Sequence, residues 1–152
     1  MEEQDCVFCK IIKGEISSVK IWEDKEHIAI LDIMLKTEGM TLVIPKKHFD
    51  SYAFDMPEDD YNKFLLATRG VAKILERGLD VKRVVMVMEG LGVNHAHIKL
   101  YPIYGLAEKF EETWAPDKIY FEKYEGYIST QTGERKDILE LKKLAEEIKK
   151  NR

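Results

Sequence analysis

The sequence is poor in cysteine and lacks long apolar runs. Only two of its 152 residues are cysteines, and a chain of this length can bury a core without disulfides or a metal as staples. No window reaches the roughly 18 apolar residues of a membrane span, and the acidic N-terminus has no apolar signal region. We therefore expect a soluble, cytoplasmic protein that has no membrane partner.

The chain also has no large excess of positive or negative charge. The chain has 24 Lys and Arg against 28 Asp and Glu, for a net charge of −4, with both signs interspersed. Without a long basic track, the chain cannot wrap duplex nucleic acid by neutralising its phosphates, so we expect no extended nucleic-acid surface. A small anionic ligand needs only a local cluster of donors and is compatible with this composition.

The two cysteines, Cys6 and Cys9, have C-x-x-C spacing. This spacing fits a redox dithiol, half of a metal site, or two packing thiols. A thioredoxin-like redox pair should begin a helix that follows a strand, and nothing strand-like precedes Cys6. A metal site needs two further ligands, for which the chain offers four histidines: His27, His48, His95 and His97. Spacing alone leaves the metal site and the packing thiols both open.

The first half of the chain predicts a short helix followed by strands. The helix runs from Phe8 to Lys13, and Gly14 ends it because glycine accepts the left-handed conformation just past a helix. Three runs rich in β-branched and apolar residues then predict an antiparallel meander, with Pro45 closing the third strand. These runs are Val19–Asp24, His27–Ile33 and Gly39–His48.

The apolar spacing then changes to that of a helix. It predicts one long helix over Pro57–Arg77, with Gly78 as the stop. The run Arg83–Gly90 is apolar on both faces, which predicts a central strand, and a short turn through Leu91 and Gly92 should lead into an antiparallel partner. The predicted fold class is therefore α+β, an antiparallel sheet meander with one long helix.

The tail is predicted to be a C-terminal helical extension. Residues 1–105 should form the main domain, with residues 106–152 packed on the same domain. Asp117–Phe121 and Tyr127–Thr130 fit short strands, and Lys136–Lys149 places apolar residues on one helical face.

Polar and apolar residues alternate in the stretch VNHAHIKLYP, Val93–Pro102. A period of two sends alternate side chains to opposite faces of a strand. The apolar set should pack against the core while the polar set shares the other surface. The polar set is His95, His97 and Lys99; the apolar set is Ala96, Ile98 and Leu100.

Four blocks of the chain together resemble the histidine triad (HIT) superfamily of nucleotidyl hydrolases and transferases, in its zinc-bearing branch. The blocks occur in the family's order between residues 6 and 101, and the tail lies outside the resemblance. They are CVFCKIIKGEI, ILDI, TEGMTLVIPKKH and HAHIKLY. The resemblance implies a HIT-like nucleotide-binding fold and, because the family commonly forms dimers, a homodimer.

The resemblance also implies a reaction. The middle histidine of the family's motif attacks the α-phosphorus of a nucleotide, and the matching residue is His97. The expected substrates are nucleoside phosphoramidates, dinucleoside polyphosphates or nucleotide sugars, cleaved through a nucleotidyl-histidine intermediate with water as the acceptor. The alternative is a non-catalytic nucleotide-binding module with a structural zinc.

Zinc-bearing members imply the ligand set Cys6, Cys9, His48 and His95. With all four positions occupied by protein, the zinc should be structural, because a catalytic zinc keeps one position open. No catalytic metal is implied. This assignment leaves His27 without a partner, and we expect it to be an exposed turn residue.

The matching positions also place the nucleotide. Asp32 should accept hydrogen bonds from the ribose hydroxyls. The family's motif has three histidines at alternate positions, and Lys99 stands here in the place of the third. The charge of Lys99 could contact a phosphate oxygen and should lower the pKa of His97. The loop MEGLGVN is shorter than in many hydrolase members, so the expected phosphate donors are the backbone near Gly90–Val93, Asn94 or Lys99. The slot for the base matches Phe8, Ile11, Ile16, Ile30, Leu31 and Ile33.

Overall fold

The computed structural model describes residues 5–34, 36–129 and 137–140. The chain divides into two compact units, residues 1–108 and 109–152. Residues 1–108 contain the long elements. In chain order these are α1 (Val7–Lys13), β1 (Lys20–Glu23), β2 (His27–Leu31), β3 (Thr41–Pro45), α2 (Glu58–Leu79), β4 (Arg83–Val87) and β5 (Ile98–Ile103).

The five strands form one antiparallel sheet in the order β1-β2-β3-β5-β4. The predicted α+β class and the meander of the first three strands are confirmed. The prediction that Arg83–Gly90 is a central strand is wrong. β4 pairs only with β5 at the sheet edge, and Met86 is 52% exposed. A short apolar run indicates a strand but not its place in the sheet, which is set by long-range pairing.

Alternation along the strands gives the sheet two apolar faces. One face, which we call the α2 face, consists of Ala29, Val43, Ile98 and Leu100. It packs against Phe64, Val71 and Leu75 of α2. The opposite face, which we call the α1 face, consists of Ile28, Ile30, Leu42 and Ile44. It packs against Phe8 and Cys9 of α1. The sheet is therefore covered on both sides, and α1 lies over the face to which odd-numbered β5 residues point.

The helix ends show one confirmed and one wrong prediction. Gly14 ends α1 with a left-handed φ of 79°, and its N–H donates to the carbonyl of Ile11 at 3.0 Å. The predicted stop of α2 at Gly78 is wrong, because the helix continues to Leu79 and Asp80 adopts the left-handed conformation, with a φ of 50°. Glycine is tolerated inside a helix, and aspartate is one of the few residues that adopts the left-handed conformation readily. Among the described residues, no helix is both long and apolar enough to span a membrane.

The connection between β4 and β5 is longer than the predicted two-residue turn. Their antiparallel pairing is confirmed, but residues 88–97 link them. This β4–β5 loop is tied to residues 49–51: the N–H of Ala96 donates to the Phe49 carbonyl at 2.9 Å. Gly90 has a φ of 67°, and a Cβ there would lie 2.4 Å from the Ser51 carbonyl oxygen. The loop therefore has one fixed path, and residues 49–51 define it.

The second unit contains little regular structure in its described part. Residues 117–121 and 127–129 are not strands, so the two predicted short strands are wrong over these residues. Side chains there pack locally, since the rings of Phe121 and Tyr127 lie 5.0 Å apart in an edge contact. Of the predicted helix Lys136–Lys149, the structure describes only residues 137–140, and residues 138–140 are helical. The remainder of this predicted helix lies outside the described residues. That the extension packs on the main domain stays a prediction.

Candidate active site and metal centre

His97 directly precedes β5 and is only 4% exposed. Its Nδ1 lies 2.7 Å from the backbone carbonyl oxygen of His95. A carbonyl oxygen only accepts, so Nδ1 carries the proton and donates, which leaves the lone pair on Nε2. The backbone thus fixes the tautomer of an imidazole that can act as a nucleophile through Nε2.

The environment of His97 favours its neutral form. Burial lowers the pKa of the imidazole, because the charged form loses its hydration. The hydrogen bond to the His95 carbonyl opposes this shift in pKa, whereas the nearby charge of Lys99 adds to it. Lys99 therefore lowers the pKa of His97 as predicted, but the larger cause is burial. The negative charges of Glu89 and Asp32 raise the pKa and offset part of the effect.

Phe8 positions both histidines. Its ring contacts the edge of the His97 ring at a centroid distance of 5.1 Å and the His95 ring at 5.9 Å. α1 thus lies directly over the imidazoles, which share one side of the chain as the alternation predicts. The residue between them, Ala96, is fully buried in the core on the α2 face. This segment is therefore held from both sides.

Lys99 is paired with Glu89, a residue that sequence reasoning missed. The Lys99 ammonium donates to the Glu89 carboxylate in a close ion pair, with side-chain exposures of 22% and 17%. A signal for this contact lies in the strand register, because Lys99 is opposite Val87 and Glu89 follows Val87 by two positions. Alternation sends Glu89 to the same side as Val87, toward His97 and Lys99.

Asp32 lies just past the end of β2 and is half-buried. Its N–H donates to the Met40 carbonyl at 2.9 Å, and its carboxylate accepts from the N–H of Met34 at 2.8 Å. These bonds fix the carboxylate at the strand end, where its charge acts on His97. The geometry suits a rigid acceptor of hydrogen bonds.

The residues predicted to line the base slot do not all come together. Phe8 and Ile30 are buried in one cluster, with Ile11 packed against it. Leu31 lies on the opposite side of the sheet from Ile30 by strand alternation. Ile16 is exposed, and Ile33 is 93% exposed. Only three of the six predicted positions therefore share one apolar cluster, which lies between α1 and the sheet.

The side-chain amide of Asn94 makes hydrogen bonds within the protein. Its side-chain oxygen accepts from the Ser51 N–H at 2.9 Å, and its side-chain nitrogen donates to the Asp50 carboxylate at 2.8 Å. Both ends of the amide thus tie the β4–β5 loop to residues 50–51. This arrangement shows Asn94 as a loop-fixing residue, and its predicted contact with phosphate stays a prediction.

Two sulfurs and two imidazole nitrogens meet next to His97. All four ligand atoms lie within 4.8 Å of one another, and three of the four residues are buried. Cys6 Sγ lies 3.3 Å from His95 Nδ1, and Cys9 Sγ lies 3.3 Å from His48 Nδ1. The cluster comprises Cys6, Cys9, His48 and His95. α1 and its N-terminus supply the thiols, and the loops after β3 and before β5 supply the imidazoles.

The donor set fits a tetrahedral zinc ion. Bond lengths of about 2.3 Å to sulfur and 2.0 Å to nitrogen imply sulfur–nitrogen separations of about 3.5 Å, close to those observed here. The second nitrogen of His95 supports the same assignment. His95 Nε2 lies 2.9 Å from the Pro45 carbonyl oxygen, to which it donates, so Nδ1 presents its lone pair to the sulfurs.

His27 is not the exposed turn residue that was predicted. It is 4% exposed, its ring stacks on Phe64 of α2 at a centroid distance of 5.8 Å, and its Nδ1 contacts the Asp24 carboxylate at 3.2 Å. The prediction was wrong because His27 begins β2 two residues before Ala29, which places its side chain on the buried α2 face. His27 is therefore structural and lies on the other side of the sheet from the cluster.

Comparison with known proteins decides the family. Residues 13–104 match the HIT domain. The chain belongs to the HIT family. An uncharacterised HIT-like protein from Methanocaldococcus jannaschii is 37% identical over 114 residues, which cover 70% of this chain and 88% of that protein. A Saccharomyces cerevisiae protein named adenosine 5'-monophosphoramidase is also 37% identical, over 64% of this chain and 61% of its own.

Solved structures share this HIT fold. A Streptococcus mutans protein superposes with a TM-score of 0.71 at 31% identity, covering 99% of this chain and 87% of its own. A zinc-bound histidine triad family protein from Mycobacterium smegmatis superposes with a TM-score of 0.61 at 28% identity, covering 76% of this chain and 86% of its own. The first likeness extends the comparison beyond the matched domain.

Proposed function

We propose that this HIT protein hydrolyses a nucleotide derivative at its α-phosphorus through a covalent intermediate on His97. The observation that carries the proposal is the buried imidazole whose Nδ1 is fixed by the His95 carbonyl, which leaves Nε2 as the nucleophile. Nucleoside phosphoramidates are the first substrates to test, because one relative is named a monophosphoramidase. Dinucleoside polyphosphates and nucleotide sugars are the other two candidate classes.

The reaction has two displacements at phosphorus. In the first, the Nε2 lone pair of His97 attacks and the bond from phosphorus to the leaving group breaks; a leaving amine takes up a proton from solvent, whereas a phosphate leaves as an anion. In the second, water attacks the same phosphorus and gives a proton to solvent, the bond to Nε2 breaks, and nucleoside monophosphate is released. The neutral imidazole is regenerated, so protons and electrons balance over the cycle.

The remaining residues of the site bind and orient the nucleotide. Asp32 accepts from the ribose hydroxyls, and its fixed position at the end of β2 suits this role. Lys99 presents a positive charge to a nonbridging phosphate oxygen. The base would pack at the edge of the apolar cluster that contains Phe8 and Ile30, where Ile11 is partly exposed.

Zinc has a structural part in the proposal. Cys6, Cys9, His48 and His95 would hold it, and it would join α1 to the segment that carries His97. Because four protein ligands fill a tetrahedral site, zinc would supply rigidity and no open coordination position. Every chemical step stays with the side chains of the active site.

The first experiment measures nucleoside monophosphate release from one compound of each candidate class. His97→Asn should lose at least about a thousandfold in rate, because asparagine cannot form the intermediate. His27→Asn is the matched control, since it alters a histidine of the same burial on the opposite side of the sheet. Release by His97→Asn at the wild-type rate would refute the proposed nucleophile.

A second candidate function is nucleotide binding without turnover. The observation in its favour is that Lys99 and Asn94, the two side chains among the expected phosphate donors, are both engaged by acidic side chains. This function predicts nucleoside monophosphate binding that is lost in Asp32→Ala, with no product from any of the three compounds. Turnover by the wild type would exclude it.

A further inference from the structure

Glu89 is the charged residue of the site that the proposed reaction does not use. It lies in the β4–β5 loop and makes a close ion pair with Lys99, and both side chains are largely shielded from water. Lys99 lies opposite Leu42, a residue of the α1 face, and follows His97 by two positions. The ion pair therefore lies on the side of the sheet where His97 and Phe8 meet.

Charge distinguishes the substrates of the proposed reaction from their common product. The α-phosphorus of a phosphoramidate, a polyphosphate ester or a nucleotide sugar carries one negative charge. The nucleoside monophosphate that is released has a second pKa near 6 and carries close to two negative charges above pH 7. A site that holds the dianion tightly would be inhibited by its own product.

We infer that Glu89 is a specificity-determining residue that admits a singly charged α-phosphate and weakens the binding of the doubly charged product. The inference rests on the proposed function. Glu89 neutralises Lys99, so a phosphate meets an ion pair instead of an unopposed ammonium. Each additional negative charge on the phosphate is attracted by Lys99 and repelled by Glu89. In a partly buried site these interactions are screened less than in bulk water.

The geometry favours this role over a purely structural ion pair. Lys99 stands at the third position of the histidine motif, beside the nucleophile, and Glu89 is held close by the fixed path of the β4–β5 loop. Gly90, the next residue, packs against the Ser51 carbonyl with a left-handed φ. The Glu89 carboxylate is therefore held at the site by the backbone on one side and by Lys99 on the other.

Binding of three ligands that share the adenosine moiety and carry different phosphate charges tests the inference. Calorimetry at pH 7.5 gives the Kd of adenosine, the 5'-methyl ester of adenosine monophosphate, and adenosine monophosphate itself, which carry zero, one and two negative charges. Glu89→Gln retains the size of the side chain and removes its charge. It should leave adenosine binding unchanged, tighten the methyl ester about threefold, and tighten the monophosphate about tenfold.

A second pair of variants removes the risk that an unpaired Lys99 disturbs folding. Lys99→Gln should weaken the monophosphate more than the methyl ester and leave adenosine unchanged. Adding Glu89→Gln to Lys99→Gln should then tighten the monophosphate about tenfold relative to Lys99→Gln alone. This comparison isolates the Glu89 charge in a background that has no buried cation to leave unpaired.

The outcomes separate this inference from the proposed function. The wild type could bind its ligands while Glu89→Gln, alone or added to Lys99→Gln, gives no gain in affinity that grows with ligand charge. That result would overturn the role of Glu89 and leave the proposed hydrolase intact. Equal tightening of adenosine and the monophosphate would also overturn it, because that pattern reports a change in the base slot. Failure of the wild type to bind any of the three would overturn the nucleotide site and this inference together.

Discussion

At the scale of single residues, Gly90 is a position that only glycine fits without strain. Its φ is left-handed, and a Cβ would clash with the Ser51 carbonyl oxygen at 2.4 Å. We expect Gly90→Ala to lower the free energy of unfolding by about 1–3 kcal/mol or more. Gly92→Ala is the matched control, because nothing lies within 4 Å of its Cβ position and its φ is not left-handed.

Chemical denaturation of the two glycine variants gives the comparison. Gly92→Ala should change the unfolding free energy by less than about 0.5 kcal/mol, as is usual for a surface substitution. Equal stability of the two variants would contradict the description of the β4–β5 loop as a segment held against Ser51.

His27 provides a second prediction at the residue scale. Its ring fills space against Phe64, and its Nδ1 bonds to Asp24. His27→Ala should lower the free energy of unfolding by about 2–3 kcal/mol, because a buried ring and a hydrogen bond are lost. Lys25→Ala, at an exposed neighbouring position, should be nearly neutral in the same denaturation experiment. A neutral His27→Ala would show that the stacking contact does not contribute to stability.

At the scale of elements, we expect α1 to depend on a metal bound by Cys6, Cys9, His48 and His95. This helix has seven residues, too few to be stable in water without tertiary contacts. Zinc on the four ligands would attach α1 to the loops that follow β3 and precede β5. The metal should therefore stabilise the helix that covers both histidines.

Metal analysis and calorimetry test this dependence. Protein purified without chelator should carry one zinc per chain. Cys9→Ser should lose the metal and unfold at a lower temperature, because metal binding and folding are coupled. Chelation should reproduce the shift in the wild type, and added zinc should reverse it. Metal-free protein that retains the full melting temperature would contradict the role of the cluster.

The strands and helices also show which structural features a sequence pattern can predict. The period-two alternation of β5 predicted which residues enter the core, because strand side chains must alternate whatever their neighbours are. The edge position of β4 could not be predicted in this way, since its apolar pattern is compatible with several places in the sheet. Likewise, Gly78 was predicted to end α2, but tertiary packing carries the helix on to Leu79.

The candidate site was predictable where it depended on matched motifs. The Cys6, Cys9, His48 and His95 set came from resemblance to a zinc-bearing family, and the structure brings these residues together. Glu89 was missed because its contact depends on the β4–β5 register, and that register was not determined before the structure. Ile33 was included in the base slot by matching alone, although its side chain points to solvent.

At the scale of the whole molecule, the homodimer stays a prediction from family resemblance. Among the described residues, β4 is one of the two edge strands of the sheet, and an edge strand can pair with another chain. Sedimentation equilibrium should give twice the chain mass of 17.7 kDa. A single-chain mass at micromolar concentration would contradict the dimer without affecting the proposed chemistry.

The proposed mechanism requires that the nucleotide become covalently attached to His97. The most direct measurement is mass spectrometry of protein mixed with an adenosine phosphoramidate and quenched in alkali, where a phosphorus–nitrogen bond to histidine survives. The proposed mechanism predicts a protein species heavier by one adenylyl group, located by peptide mapping on His97 and missing in His97→Asn. Turnover by the wild type with no adduct, or with an adduct on another residue, would contradict a covalent intermediate on His97.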